Sequence, residues 1–154
     1  YCPGGAIDLI AACNKRNSTM DDQFSNKEID IGMAADVGTL QRMPHLIGDG
    51  MLRELAFTGR TFGGEEACSM GLVNRTYSDH AALLAGVMAL AREIAAKSPV
   101  AVRGTKEMLR YMRDHRIDDG LEYVATWNAS MLQSEDLRIA IAAHMSKQKP
   151  EFSN

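Results

Sequence analysis

Apolar and polar positions recur in two rhythms, helical and extended, along a chain that reads as one continuous domain. A Gly-Gly pair opens residues 4–13, a run of good helix formers, Ala6-Ile7-Asp8-Leu9-Ile10-Ala11-Ala12, which predicts a helix. Residues 16–19 and 23–25 are predicted to be short strands of a sheet. Helices follow over 39–46, stopped by Gly48, and over 51–57, stopped by Gly59, because glycine accepts the left-handed conformation that closes many helices. A short helix over 64–70 ends at Gly71, and 72–77 reads as a brief strand. Residues 81–96 are apolar on most faces, which predicts a well buried helix. Pro99 suits the first turn of the next helix, with Ser98 as its N-cap. Two more helices are predicted, over 117–132 and from a Ser134 cap to Met145, before a polar tail, Lys147 to Asn154, that frays. No low-complexity linker interrupts this order. Strands mix with short helices in residues 1–77, and helices alone fill 78–154.

Composition narrows the partners more than the fold. The 154 residues are 45% hydrophobic, and a chain of that length can bury a sizeable core. A net charge of −3 leaves no basic footprint for nucleic acid. Cys2, Cys13 and Cys68 are odd in number and form no Cys-x-x-Cys, a pattern of reduced thiols in an intracellular setting. His45, His80, His115 and His144 are scattered without ligand spacing, so no metal is expected. No apolar run is long enough to span a membrane, and any targeting segment would lie upstream. The ten methionines read as core filler, except Met33, which sits beside acidic residues. Tyr123, Trp127 and Met131 share one helical stripe, which faces either its own core or a second subunit.

Candidate chemistry concentrates near the start. The Gly4-Gly5 pair opens a helix whose first N–H groups have no intrahelical acceptor and lie at the positive end of the dipole. Glycine lets a ligand oxygen approach that backbone, as an oxyanion hole requires. Three carboxylates, Asp8, Glu28 and Asp36, fall within a short stretch of small and apolar residues. Such surroundings disfavour the charged form and suit a carboxyl to proton transfer. Two carboxyls in different surroundings can divide acid and base roles. Each also has a plain alternative: Asp8 as a favourable charge in a helix first turn, Glu28 as a surface charge, Asp36 as the cap of the helix starting near Thr39.

The segments Pro3-Gly4-Gly5-Ala6-Ile7-Asp8-Leu9, Asn26-Lys27-Glu28-Ile29-Asp30-Ile31-Gly32 and Ala34-Ala35-Asp36-Val37-Gly38-Thr39-Leu40-Gln41-Arg42 resemble the crotonase (enoyl-CoA hydratase/isomerase) superfamily. Within it they are most similar to the Δ3,5-Δ2,4-dienoyl-CoA isomerase branch. Phe57-Thr58-Gly59-Arg60, Gly71-Leu72-Val73, Lys97-Ser98-Pro99 and Thr126-Trp127-Asn128-Ala129-Ser130 extend the likeness over nearly the whole chain. The resemblance implies an α/β fold, part of the crotonase spiral of ββα units over 1–77, with a helical oligomerisation region over 78–154. It implies Gly5 as one backbone donor of an oxyanion hole for a thioester carbonyl. Asp8, Glu28 and Asp36 match the acidic pattern of the dienoyl isomerases, with Asp8 expected to hydrogen-bond Glu28. Hydratases instead carry glycine at the position of Asp36, and simple Δ3,Δ2-isomerases keep a single glutamate at that of Glu28. The implied substrate is a coenzyme A thioester, with no cofactor and no metal, in a trimer or hexamer of a mitochondrion or peroxisome-type organelle. A hydratase, a simple isomerase and a non-catalytic assembly fragment remain the alternatives.

Members of that family run to roughly 250 residues as single domains, while this chain has 154 and opens at Tyr1. The second oxyanion donor and most contacts to the CoA pyrophosphate belong, in the family, to a preceding half. The chain is therefore expected to be a fragment, inactive by itself.

Overall fold

Short strands held between tight turns make up the first part of the chain. The computed structural model describes residues 1–152, so the last two residues of the tail expected to fray lie outside the described residues. Strand β1 (Cys2–Pro3) leads through Gly4 into helix α1 (Gly5–Ala11), and strands β2 (Asn17–Thr19) and β3 (Gln23–Ser25) follow. A 3₁₀ turn, Lys27–Ile31, then precedes helix α2 (Thr39–Arg42) and a second 3₁₀ turn, Met43–His45. The expected helix over 39–46 is broken there because Pro44 has no N–H to continue an α-helical ladder. Helix α3 (Asp49–Thr58), strand β4 (Phe62–Gly63), helix α4 (Gly64–Ser69) and strand β5 (Arg75–Tyr77) complete this part.

The strands form two small sheets. β3 lies between β1, parallel to it with Cys2 opposite Phe24, and β4, antiparallel with Phe24 opposite Phe62. β2 and β5 pair in parallel. Beneath them Ile7 and Ala11 of α1, Phe24, Leu52 and Leu55 of α3 and Phe62 are buried in one cluster. The Phe24 and Phe62 rings stack with centroids 5.5 Å apart. Each fully buried side chain of this size stabilises by about 1.5–3 kcal/mol, and such packing holds strands of two or three residues in place. Arg60 joins two helices of this part, bonding Glu54 of α3 at 2.8 Å and Glu66 of α4 at 2.6 Å. Its guanidinium holds the Glu66 carboxyl below the ordinary glutamate value.

Four helices follow: α5 (His80–Ala95), α6 (Pro99–Tyr111), α7 (Ile117–Met131) and α8 (Glu135–Met145). The chain divides into two compact units, Tyr1–Val87 and a second beginning at Met88, so the division falls inside α5. The expectation that α5 is well buried fails. None of its residues is buried, and Leu84, Met88 and Ile94 are 40–51% exposed. An apolar pattern records which faces avoid water, not what covers them.

In the second unit the predicted caps form: the Ser98 hydroxyl accepts from the Ala101 N–H and that of Ser134 from Leu137. Asp136 of α8 adds to the first of these, since its carboxylate accepts from the Ser98 hydroxyl at 2.6 Å and from the Val100 N–H at 3.3 Å. Trp127 of α7 packs so closely on Gly104 of α6 that a β-carbon there would lie 2.5 Å from its Nε1. Trp127 and Met131 line an apolar cavity of about 500 Å³ among α6, α7 and α8. Tyr123 packs on Tyr111 of α6 at a centroid distance of 4.6 Å, and His115 stacks on Tyr111 at 3.6 Å.

Candidate active site

The turn between β1 and α1 is built by hydrogen bonds and by what glycine permits. The Gly4 N–H donates to the Ser25 carbonyl of β3 at 2.8 Å, and the Gly4 carbonyl accepts from Ile7. Gly4 sits at φ 51°, ψ −127°, a conformation open to glycine and costly for other residues. A β-carbon there would also lie 2.9 Å from Glu28 Oε1. Gly4 therefore does two things: it turns the chain into α1 and admits the Glu28 carboxylate against its backbone. Gly5 is the first residue of the helix and is exposed; an N–H at that position has no intrahelical acceptor.

Glu28 is carried by the 3₁₀ turn and is half-buried. Gly32 ends that turn in the left-handed region at φ 75°, and the Met33 N–H returns to the Glu28 carbonyl at 3.0 Å. The reversal brings Met33, Ala34 and Ala35 back beside the acid. Together with Ile29, Leu40, and Ala56 and Phe57 from the end of α3, they line a cavity of about 130 Å³. Asn26 and Glu28 are the polar residues of that lining, and the buried amide nitrogen of Asn26 has no hydrogen-bond partner among the described residues. A lone carboxylate in this cleft, beside a helix start whose Gly5 N–H has no intrahelical acceptor, can move a proton next to an oxyanion.

The other two carboxylates are placed differently. Asp8 is 3% exposed, and its Oδ1 accepts from the Thr39 N–H at 2.6 Å. Thr39 begins α2, whose N-cap Gly38 offers no side chain, so Asp8 caps that helix from across the fold. The expected hydrogen bond between Asp8 and Glu28 does not form among the described residues; Asp8 meets α2 instead. Asp36 was expected among small apolar neighbours, yet it is exposed and is not one of the residues lining the cavity. Its neighbours Ala34 and Ala35 turn toward the cavity instead. Nor does Asp36 cap α2, a role taken by Asp8. The structure thus brings Gly4, Gly5 and Glu28 together, buries Asp8 behind them, and leaves Asp36 on the open loop.

Sequence reasoning missed the apolar wall from α3 and the close fit of Gly4 on Glu28. A Gly-Gly pair signals a special turn, but which glycine meets the acid depends on contacts between distant segments. Among the described residues no group of His, Cys, Asp and Glu side chains is arranged to hold a metal ion. Among the same described residues no helix is long and apolar enough to cross a membrane.

The profile of the enoyl-CoA hydratase/isomerase family matches residues 1–154. The chain is 50% identical over 147 residues to a Rattus norvegicus protein named as mitochondrial Δ(3,5)-Δ(2,4)-dienoyl-CoA isomerase, covering 95% of this chain and 45% of that one. It is 47% identical over 152 residues to the peroxisomal protein of the same name from Arabidopsis thaliana, covering 99% of this chain and 55% of that one. Among solved structures, an enoyl-CoA hydratase from Bacillus anthracis matches with a TM-score of 0.94 at 28% identity, over 98% of this chain and 58% of that one. The chain spans about half the length of the curated relatives it matches.

Proposed function

The chain belongs to the enoyl-CoA hydratase/isomerase family and shares its fold, and from that premise we propose that it serves as a Δ3,5-Δ2,4-dienoyl-CoA isomerase. The observation that carries the reading is the seat of Glu28: its carboxylate lies against the Gly4 backbone, one residue from the Gly5 N–H at the helix start, in a cleft whose lining is apolar but for Asn26. The Gly5 N–H polarises the thioester carbonyl of a bound acyl group, and C2, next to that carbonyl carbon, then lies on the Glu28 side. Glu28 takes a proton from C2. The electron pair left at C2 delocalises through the adjacent carbonyl onto the thioester oxygen and, in the other direction, through the C3–C4 and C5–C6 double bonds to C6, so that a proton delivered at C6 leaves a 2,4-diene. Asp36 supplies the proton at C6, the far end of the conjugated system, where an exposed loop can reach a longer acyl group. Asp8 holds α2, and with it the loop carrying Asp36, through its bond to Thr39.

Relatives of the same name are designated mitochondrial or peroxisomal, which supports placing this protein in one of those organelles. The apolar cavity and exposed apolar residues of α6 to α8 support assembly of copies into a trimer or hexamer. One observation favours a second reading, a hydratase or simple isomerase served by Glu28 alone: Asp36 is exposed and outside the cavity. Deuterium exchange separates the two in the full-length protein. With 3,5-dienoyl-CoA in heavy water, Glu28→Gln is expected to lose both C2 exchange and formation of the 2,4-diene chromophore. Asp36→Asn is expected to retain C2 exchange while diene formation falls about 10²–10⁴-fold. Full dienoyl isomerisation by Asp36→Asn refutes the two-acid reading and favours the single-acid one.

A further inference from the structure

Lys27 precedes Glu28 in the 3₁₀ turn and reaches across to another element. Its ammonium donates to the Gly59 carbonyl at 2.8 Å and to Asp30 Oδ2 at 2.9 Å. Gly59 is the C-cap of α3, at φ 59°. A β-carbon there would lie 2.8 Å from Ile29 Cγ2 and 3.2 Å from the Asn26 carbonyl oxygen, so the end of α3 sits directly on the turn that bears Glu28. These two elements are opposite walls of one cavity: Asn26, Glu28 and Ile29 come from the turn side, Ala56 and Phe57 from the last turn of α3. The Lys27–Gly59 bond ties wall to wall. It is charge-assisted and falls at the negative end of the α3 dipole, both of which strengthen it. A flexible lysine stem otherwise keeps its freedom in water, so holding this one still requires such a partner.

We propose that Lys27 is a positioning residue: through Gly59 it sets the spacing between the Glu28 carboxylate and the Ala56–Phe57 wall, and hence how an acyl group meets the acid. This rests on the reading of Glu28 as the base. The tie acts on geometry in the bound complex, so its loss lowers kcat and leaves KM nearly unchanged. Misplacement by about an ångström costs up to about 10²-fold in rate.

The test uses the full-length protein with 3,5-dienoyl-CoA, well below its melting temperature, and compares Lys27→Met, Lys27→Gln, Lys27→Arg and Glu28→Gln. Lys27→Met, which keeps the stem and loses the donors, is expected to lower kcat about 10- to 100-fold per folded molecule. Lys27→Arg, which keeps a charged donor, is expected to restore most of that rate, with Lys27→Gln between the two. If Lys27→Met does not fold, the order of the parent, Arg and Gln proteins decides: equal kcat in all three overturns the proposal. A Lys27→Met protein that folds and turns over within about twofold of the parent also overturns it, as does a loss accounted for by its unfolded fraction. An active Glu28→Gln protein refutes the base assignment itself, whereas an inactive one beside a fully active Lys27→Met refutes the tie alone.

Discussion

Replacing Asp8 separates a supporting role from a chemical one. Its Oδ1 accepts the Thr39 N–H at 2.6 Å in a site 3% exposed, and α2 has no side-chain cap of its own. Asp8→Ala removes a hydrogen bond to a charged acceptor, worth about 1.5–3 kcal/mol, and leaves a buried donor unpaired. It also removes a negative charge from the first turn of α1, worth about 0.3–1 kcal/mol. The two together give about 2–4 kcal/mol of lost stability. Asp8→Asn keeps an acceptor oxygen but loses the charge, so about half of the bond and the dipole contribution go, and it is expected to cost about 1–2.5 kcal/mol. Urea unfolding followed by circular dichroism reads both values, provided the slope with denaturant is unchanged. Amide exchange gives a local reading: protection at Thr39 is expected to fall in Asp8→Ala and to persist in Asp8→Asn. An Asp8→Ala protein within about 0.5 kcal/mol of the parent, the ordinary range for a surface change, with Thr39 protection intact, would refute the capping argument.

Gly4→Ala is expected to cost about 1–3 kcal/mol through its φ of 51° and to lower turnover by pushing the Glu28 carboxylate off its seat; unchanged stability and rate would show that the turn relaxes freely. For Arg60→Met the sign follows from Glu66, whose folded-state value is depressed by Arg60. The stability from that pair is present above the ordinary glutamate value and fades as pH falls through the lower, folded one. Acid titration of stability is therefore expected to show parent and Arg60→Met converging at low pH, and a gap that widens toward acid contradicts the assignment. His115 behaves oppositely. Its ring nitrogen bonds the Tyr111 carbonyl at 2.8 Å and Asp114 at 2.6 Å, and the Tyr111 carbonyl first, then Asp114 and Asp119, raise its value. Its stabilisation is complete below the ordinary histidine value and is lost as pH rises through the raised one; an NMR titration placing His115 at or below 6.5 would be inconsistent with these contacts.

Local chemistry was legible in the sequence, and contacts between distant segments were not. Gly59 ends α3, and Ser98 and Ser134 cap their helices, because each acts on backbone within a few residues. The break at Pro44 follows equally local rules and shortens a helix that its apolar pattern alone would extend. Strands β1 and β4, two residues each, carry too few positions for a period of two to register. At the site, the Gly-Gly turn and Glu28 come from neighbouring signals, and the structure brings them together. Asp8 instead meets Thr39, thirty-one positions away, and no periodicity reports such a pairing. Asp36 lies among small and apolar residues in the sequence and yet is exposed, since neighbours along an irregular loop need not be neighbours in space.

In both compact units the first turn of a helix donates an N–H to an acid from elsewhere in the chain, Asp8 for α2 and Asp136 for α6, and for α2, which has no side-chain cap of its own, this has a kinetic consequence. Four residues of α2 are far too few to pass the nucleation barrier of an isolated helix, which takes about a dozen residues to overcome. α2 can therefore persist only after the chain between Asp8 and Thr39 has closed on itself, and closure must precede any reward from the bond. The segment joining them carries Glu28, so the candidate base sits inside the loop that this bond closes. Its surroundings therefore gain their order together with α2, and loosen when Asp8 lets go.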